Sequence, residues 1–366
     1  PHGLHVAGRP AGEAEIAGLI DAMNDGFEPH DRLSPTEIGV VISTGQPPRN
    51  ISERVRSLRE MVAHMRHDAE LPALMRALAA RYIRPVAGGD VVRSPDIVPT
   101  GRNIHGFDPF RLPTAVAVAE GTAQAELLLQ RHCKDHGRMP ARIAMVLWGT
   151  DNLKTEGGPI AQVLALVGAR PRFDGFGRLA GAELIELHEL GRARVDVVVT
   201  LSGIFRDLLP LQTRLLAEAS LLAATADEPV ELNPIRGHAL RYCREHGCDM
   251  EEAALRVFSN AEGAYGSNVN MLIDSGAWNG DDEIAETFAS RKCFAYGVDG
   301  KALPRKELMG SVLREVEAAY QNVESAELGI TSIDHYFDTL GGISKAVQQF
   351  GGHTIPGYVG DRTTDD

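Results

Sequence analysis

Two apolar runs near the middle of the chain constrain its architecture more than any other feature. Residues 142–148 read Arg-Ile-Ala-Met-Val-Leu-Trp, and residues 195–201 read Val-Asp-Val-Val-Val-Thr-Leu. Both are rich in β-branched or bulky side chains and lack the alternation of a strand with one wet face, so each reads as a strand buried on both sides. The first ends in Gly149-Thr150-Asp151 and the second in Ser202-Gly203. Between them, residues 159–167 have helical character with Gly168 as the stop, and residues 170–173 form a second short strand. A helix runs from about residue 206 to residue 224. Strands separated by helices predict an α/β fold with a parallel sheet flanked by helices. Functional loops of such sheets lie beyond the carboxyl ends of the strands, which puts residues 148–156 and 202–206 on one rim.

The flanking regions are less regular. Apolar spacing at Ile16, Leu19, Ile20 and Met23 predicts an amphipathic helix over 11–23. The β-branched run at 37–43, closed by the breakers of 45–48, predicts a buried strand and a loop. Residues 51–78 read as a long Arg-rich helix broken or restarted at Pro72. Residues 88–113, rich in Gly, Pro, Asp and Arg, read as an extended ordered loop, and 115–136 as a helix. After Thr225 the chain is expected to be mainly helical, interrupted by a Gly/Asn/Ser-rich loop at 259–270 and a second loop near Asp334. The expected organisation is therefore three regions: 1–140 with its long loop, 141–226 as the parallel-sheet domain, and 227–366 as a mainly helical region truncated at its C-terminus.

With 366 residues the chain is long enough for two or three domains, and no apolar run approaches the length of a membrane span. It begins Pro1-His2-Gly3-Leu4, with neither a basic nor an apolar leader segment, and ends Thr363-Thr364-Asp365-Asp366. The expectation is an internal section of a longer polypeptide. Four scattered cysteines fit a reducing cytoplasm better than a disulfide framework. A formal charge of −13 argues against a nucleic-acid partner, which would call for clustered Lys and Arg. That acidity would suit a divalent cation, but plain solubility accounts for it.

The absent motifs are informative. There is no GxxxxGK[ST] loop to cradle ATP, no GxGxxG after a strand, no GxSxG elbow and no HExxH. Cys243, His246 and Cys248 lack a second ligand pair for zinc and read as residues at a helix end. Three segments carry candidate chemistry, each with a structural alternative that the residues alone leave open. In 148–154, Asp151 and Lys154 would meet a ligand, or Asp151 or Asn152 would cap a helix. In 227–238, Glu228 or Glu231 would hand over hard Mg²⁺, or the segment is a solvated, Pro-punctuated loop. In 333–338, His335 would accept a proton with Asp338 one helical turn away to orient it, or His335 is a buried or capping residue.

Taken together these segments resemble the large subunits of magnesium chelatase and cobaltochelatase. The resemblance rests on "IAMVLWGTDNLKTEGGPIAQVLALVGARPRFDGFGRLAGAELIEL", "GRARVDVVVTLSGIFRDLLPLQ" and "ADEPVELNPIRGHAL", and it extends from about residue 84 to the end. "PTGRNIHGFDPFRLPT", "VFSNAEGAYGSNVNMLIDSGAW" and "AAYQNVESAELGITSIDHYFDTLGGISKAV" resemble the magnesium branch, and Glu262 the bacteriochlorophyll type. The resemblance implies a subunit that binds protoporphyrin IX and receives Mg²⁺ as the substrate metal. It further implies that ATP is bound by partner subunits, an AAA+ ATPase with an adaptor subunit, and that a downstream Mg-protoporphyrin methyltransferase is a further partner. On that basis Glu183 and Glu228 are expected to deliver the metal. His238 and His335 are expected to take pyrrole protons, with Asp338 orienting His335. Asp151, Lys154 and Arg206 are expected near the porphyrin or its propionates, and Trp148, Phe205 and Tyr265 to stack on the macrocycle. The alternatives are a cobaltochelatase subunit acting on a corrin precursor and a non-enzymatic tetrapyrrole-binding scaffold.

Overall fold

The computed structural model describes residues 6–25, 32–46, 48, 51–87, 91, 95–105, 108–276, 278–322 and 337–360. Contacts divide the chain into two compact units, Pro1–Asp108 and Pro109–Asp366. The division between the units falls at residues 108–109. The helix at 115–136 belongs with the sheet that follows it, and that sheet draws strands from both sides of residue 226.

In the first unit, α1 (Glu13–Asp25), α2 (Pro35–Ile42) and α3 (Glu53–Met65) share a core of Ile16, Ile20, Met23, Val41, Val55, Leu58, Met61 and Val62. The strand expected at 37–43 is helix α2. The deciding signal is upstream of the β-branched run: Ser34 caps the helix, its side chain accepting from the Glu37 N–H while the Glu37 carboxylate accepts from the Ser34 N–H, with Pro35 at the first turn. That reciprocal box, together with proline preset for the first turn, outweighs the strand preference of Ile and Val. The long helix expected at 51–78 breaks before Pro72. α3 ends at Met65 and α4 (Glu70–Leu78) starts afresh, with Asp68 accepting from the N–H groups of Glu70 and Leu71. Pro72 sits in the first turn of α4, where a missing N–H costs nothing. Strands β1 (Pro85–Ala87) and β2 (Asn103–His105) pair in parallel, so the long loop carries a strand of its own.

The second unit is built on a seven-stranded sheet. Its strands are β3 (Arg142–Leu147), β6 (Asp196–Leu201), β7 (Val257–Ser259), β8 (Phe294–Tyr296), β9 (Ala302–Pro304), β10 (Ala318–Asn322) and β11 (Gly357–Gly360), in the order β11-β10-β3-β6-β7-β8-β9. The five from β11 to β7 are mutually parallel, and β8 and β9 close one edge antiparallel. The α/β class is as expected, and β3 and β6 lie side by side in register, Arg142 opposite Asp196 and Leu147 opposite Leu201. Every residue of both strands is buried, which is why neither alternates.

Two expectations need correction. Residues 170–173 do form a strand, β4 (Ala169–Phe173), but it pairs antiparallel with β5 (Leu179–Leu184) in a separate hairpin. The turn residues 174–178 fold it back before it can reach the sheet, with Asp174 accepting from the Phe176 and Arg178 N–H groups. Helices do predominate after Thr225, yet that stretch also supplies β7 to β11, three to five residues each and too short to show a period.

Helices cover the sheet. In chain order the unit contains α5 (Ala115–His136), α6 (Gly149–Lys154), α7 (Gly158–Val167), α8 (Leu187–Leu190), α9 (Gly203–Leu208), α10 (Pro210–Thr225), α11 (Pro234–His246), α12 (Met250–Ala253), α13 (Val269–Ser275), α14 (Asp281–Lys292), α15 (Lys306–Leu313) and α16 (Gly342–Gly351). A π-helical turn, Phe337–Gly341, leads into the last. Among the described residues no helix is long and apolar enough to cross a membrane.

Candidate functional site

Parallel strands put all their carboxyl ends on one edge, and here four neighbours end in polar or aromatic residues: Gln321 and Asn322 on β10, Trp148 after β3, Ser202 after β6, and Ser259 and Asn260 at β7. The centre of this rim is stitched together by Ser202. Its N–H donates to the Leu147 carbonyl (3.0 Å), and its Oγ accepts from the N–H groups of Phe205 (3.1 Å) and Gly149 (3.1 Å). α6 and α9 consequently start side by side. A Cβ at Gly149 would lie 2.7 Å from Ile204 Cγ2 and 2.8 Å from the Phe205 nitrogen, so only glycine permits this approach.

The rim gathers most of the expected ligand-binding residues. Trp148 is half-buried, its Nε1 reaching Gln321 Oε1 at 3.4 Å. Asp151 is buried on α6, and Lys154 at the end of that helix is exposed. Asn152 is fully buried and serves the fold, donating to the Trp148 carbonyl and accepting from the Ile160 N–H. Phe205 has no exposed surface and is core rather than a stacking platform.

Arg206, Asp207 and Tyr265 form one assembly. Arg206 pairs with Asp207 at 2.7 Å and donates to the carbonyls of Ala261 (2.6 Å), Ala264 (3.0 Å) and Asn260 (3.3 Å). Its guanidinium lies 5.3 Å from the centre of the Tyr265 ring, and the Tyr265 hydroxyl donates to Asp207. Arg206 thereby holds the Asp207 carboxyl below its ordinary range. Tyr265 itself is half-exposed and packs against Gly203, where a Cβ would meet the ring at 2.3 Å.

The loop carrying Tyr265 is anchored at both ends. Asp338 accepts from the N–H groups of Ser267 (2.8 Å) and Asn270 (3.0 Å), and its carbonyl accepts from the Ser267 hydroxyl (2.8 Å). At the other end, buried Lys292 donates to the Leu201 carbonyl (3.1 Å) and to Asn260 Oδ1 (2.8 Å). The expected proton acceptor His335 lies outside the described residues, so its pairing with Asp338 does too.

Three expected residues are not at this rim. Glu183 lies on β5 of the separate hairpin, opposite Arg170, with Oε1 accepting from Nη2 at 2.6 Å and Nε at 3.1 Å. Glu228 lies toward the amino end of β6, gripped by the buried Arg194 through two hydrogen bonds of 2.6 and 2.7 Å and by Asn233 at 2.7 Å. The bonds to Arg194 hold its carboxyl below the ordinary range.

His238 belongs to a buried cluster where β3 and β6 begin. There Asp196 receives Arg142 at 2.8 Å and Arg256 at 2.7 Å, and although burial opposes it, the two guanidiniums keep the carboxyl far below its usual range. Arg256 reaches His238 Nδ1 at 3.1 Å, and Ser311 Oγ lies 3.1 Å from Nε2. Arginine can only donate, so Nδ1 accepts and Nε2 carries the proton. Burial first, then Arg256 and Arg142, push the imidazolium down to about 2. His238 thus lies buried away from the rim, with its Nδ1 lone pair engaged by Arg256.

Among the described residues no group of three or more His, Cys, Asp or Glu could hold a metal ion. Cys243 and Cys248 flank the end of α11, where the Cys243 thiol donates to the Asp249 carbonyl. Sequence reading missed Asn260, Lys292, Gln321 and Asn322. The only available signal was a polar pair directly after a short apolar run, Ser259-Asn260 and Gln321-Asn322.

The fold and rim define an α/β protein with a polar, partly aromatic edge beyond a mostly parallel sheet. It belongs to the family described as CobN/Magnesium Chelatase, whose family model matches residues 1–366. The chain is 58% identical to the magnesium-chelatase H subunit of Rhodobacter capsulatus and 54% identical to that of Cereibacter sphaeroides, in each case over 99% of the chain and 28% of the relative. It is 36% identical to the aerobic cobaltochelatase CobN subunit of a Sinorhizobium species, over 81% of the chain and 24% of the relative. Among solved structures, the catalytic subunit of cobaltochelatase from Mycobacterium tuberculosis superposes with a TM-score of 0.73 at 29% identity, covering 99% of this chain and 34% of that one. The chain therefore spans about a quarter to a third of the length of these relatives.

Proposed function

We propose that this chain is a section of the porphyrin-binding large subunit of a bacterial magnesium chelatase, active in bacteriochlorophyll synthesis in the cytoplasm. The observation that carries the reading is the difference in identity between branches. Over nearly the whole chain it stands at 54–58% to the magnesium subunits of Cereibacter sphaeroides and Rhodobacter capsulatus, against 38–42% to other magnesium subunits and 36% to the cobalt subunit, these over a shorter span.

The reaction replaces two pyrrole protons of protoporphyrin IX with Mg²⁺, releasing two H⁺. Mg²⁺ is a substrate here, and stripping its water shell is one cost of the step. The AAA+ partner and its adaptor would supply ATP-driven conformational work, and a Mg-protoporphyrin methyltransferase would take the product. On the rim, Tyr265 and the exposed edge of Trp148 offer aromatic faces to a macrocycle, and Lys154 offers a cation to its propionates. Arg206 and Asp338 hold the Tyr265 loop from beneath, and Asp151 lies on the same rim. His335 is kept as the proton acceptor.

The test is the reconstituted full-length enzyme, supplied in parallel with protoporphyrin IX plus Mg²⁺ and with a corrin precursor plus Co²⁺. ATP-dependent Mg²⁺ insertion supports the reading. Cobalt insertion alone would move the chain to the other branch, and porphyrin binding without insertion of either metal would leave a binding module.

A further inference from the structure

Lys292 is 2% exposed, at the last turn of α14, yet its ammonium meets only neutral oxygens: the Leu201 carbonyl at the end of β6 and Asn260 Oδ1 at the base of the Tyr265 loop. Among the described residues no carboxylate lies within ion-pair distance of it. A buried cation without a counter-ion is costly, and a lysine with a long apolar stem could be replaced by Met or Leu if only packing were required. The charged groups that act on it are Asp338 from the π-helical turn, Arg206 from α9 and Arg291 from its own helix. Arg206 is already matched by its ion pair with Asp207, which leaves the Lys292 ammonium and Arg291 opposite the carboxylate of Asp338.

We propose that Lys292 is a specificity-determining positioning residue whose buried charge favours ligands that bring a carboxylate to this rim, and disfavours the same ligand with its carboxylates masked. The inference rests on the tetrapyrrole reading above, since protoporphyrin IX carries two propionates. Lys292 does not touch the ligand. It acts by projecting a charge through a poorly screened interior.

The burial of Lys292 pushes its ammonium down to about 7; Asp338 works against this shift, and Arg206 and Arg291 work with it. An anion arriving nearby raises that value, so binding takes up a proton at pH above about 7. Affinity for the diacid then falls as pH rises through this range and is flat below it, while a neutral ligand shows no such dependence.

The experiment titrates the full-length subunit with protoporphyrin IX and, separately, with its dimethyl ester, following quenching of protein fluorescence. Wild type, Lys292→Met and Lys292→Arg are compared, and wild type is also titrated from pH 6.5 to 8.5. Lys292→Met is expected to weaken the diacid about tenfold, as for a unit charge acting over roughly 12 Å at an effective dielectric near 20, and to leave the ester unchanged. Lys292→Arg should keep most of the preference. Equal weakening of both ligands, or of neither, overturns the assignment while leaving the tetrapyrrole reading intact. Should the Met variant fail to fold, an identical pH response of the two ligands on wild type overturns it just as well. Saturable binding of neither ligand to wild type overturns the tetrapyrrole reading itself, and this assignment with it.

Discussion

Ser202 Oγ accepts the Gly149 N–H at 3.1 Å, and with the Ser202 N–H to Leu147 carbonyl bond it ties the exits of two parallel strands whose starts lie 54 residues apart in the chain. The same oxygen caps α9 through the Phe205 N–H. Ser202→Ala leaves two buried donors without a partner, at a cost of about 1–2 kcal/mol. The expected outcome is a lower denaturant midpoint with an unchanged slope, together with weaker porphyrin binding. An unaltered midpoint would show that the rim does not depend on this oxygen.

Gly203 and Tyr265 test the aromatic face of the rim. A methyl group at position 203 would displace the Tyr265 ring, which it would approach to 2.3 Å. Gly203→Ala and Tyr265→Ala should each weaken porphyrin binding, and the double variant should be no worse than the poorer single. Full additivity would mean that the two residues act separately.

His238 makes a prediction about pH. Its folded value, about 2, lies below the ordinary value of about 6.5, so the unfolded chain binds the extra proton and stability rises with pH across that interval. Its contribution is complete above about 6.5 and is lost progressively as pH falls toward 2. Asp196, also depressed, adds to this only below the ordinary carboxylate range, whereas His132 acts in the same direction as His238. Denaturation midpoints at pH 7.5 and 5.5 should differ in wild type, and differ less in His238→Asn. The amide oxygen of that variant can accept from Arg256 but does not titrate. A steeper dependence in the variant would contradict the assignment. In the reconstituted enzyme, the pH profile of turnover should not shift.

What the sequence disclosed, and what it hid, follow from the range of the interactions. β3 and β6 were readable because each is six residues long and buried throughout, so composition alone marks them. The rim followed from them, bringing Trp148, Asp151, Lys154 and Arg206 to one edge. β7 and β8, at three residues each, carry no periodicity and are fixed by neighbours remote in sequence. The partners of Glu183, Glu228 and His238 were equally out of view. A carboxylate in a sequence looks the same whether it faces water, a metal or an arginine, and Arg194 becomes the partner of Glu228 only when the chain returns across 34 residues. The 37–43 run departs from its β-branched composition for a local reason, the capping box at Ser34 and Glu37.

Glu183 and Glu228, both expected from the sequence to deliver metal, should now part company. Glu183 pairs with Arg170 where both side chains are about half exposed, at 45% and 49%. Such pairs contribute about 0–1 kcal/mol, so Glu183→Gln should melt near wild type and leave the Mg²⁺ dependence of the reconstituted enzyme unchanged. Glu228 faces Arg194, whose side chain is 1% exposed and also donates to the carbonyls of Val167, Gly168 and Ile185. Removing that carboxylate leaves a buried guanidinium uncompensated, a loss of roughly 3–5 kcal/mol when a buried pair is broken from one side. Glu228→Gln should therefore unfold at markedly lower denaturant and release the β4–β5 hairpin first, visible as faster amide exchange over 179–185. Any loss of activity should track the unfolded fraction and should not be restored by raising Mg²⁺. A stable Glu228→Gln subunit rescued by excess Mg²⁺ would restore this residue as a metal-delivering group.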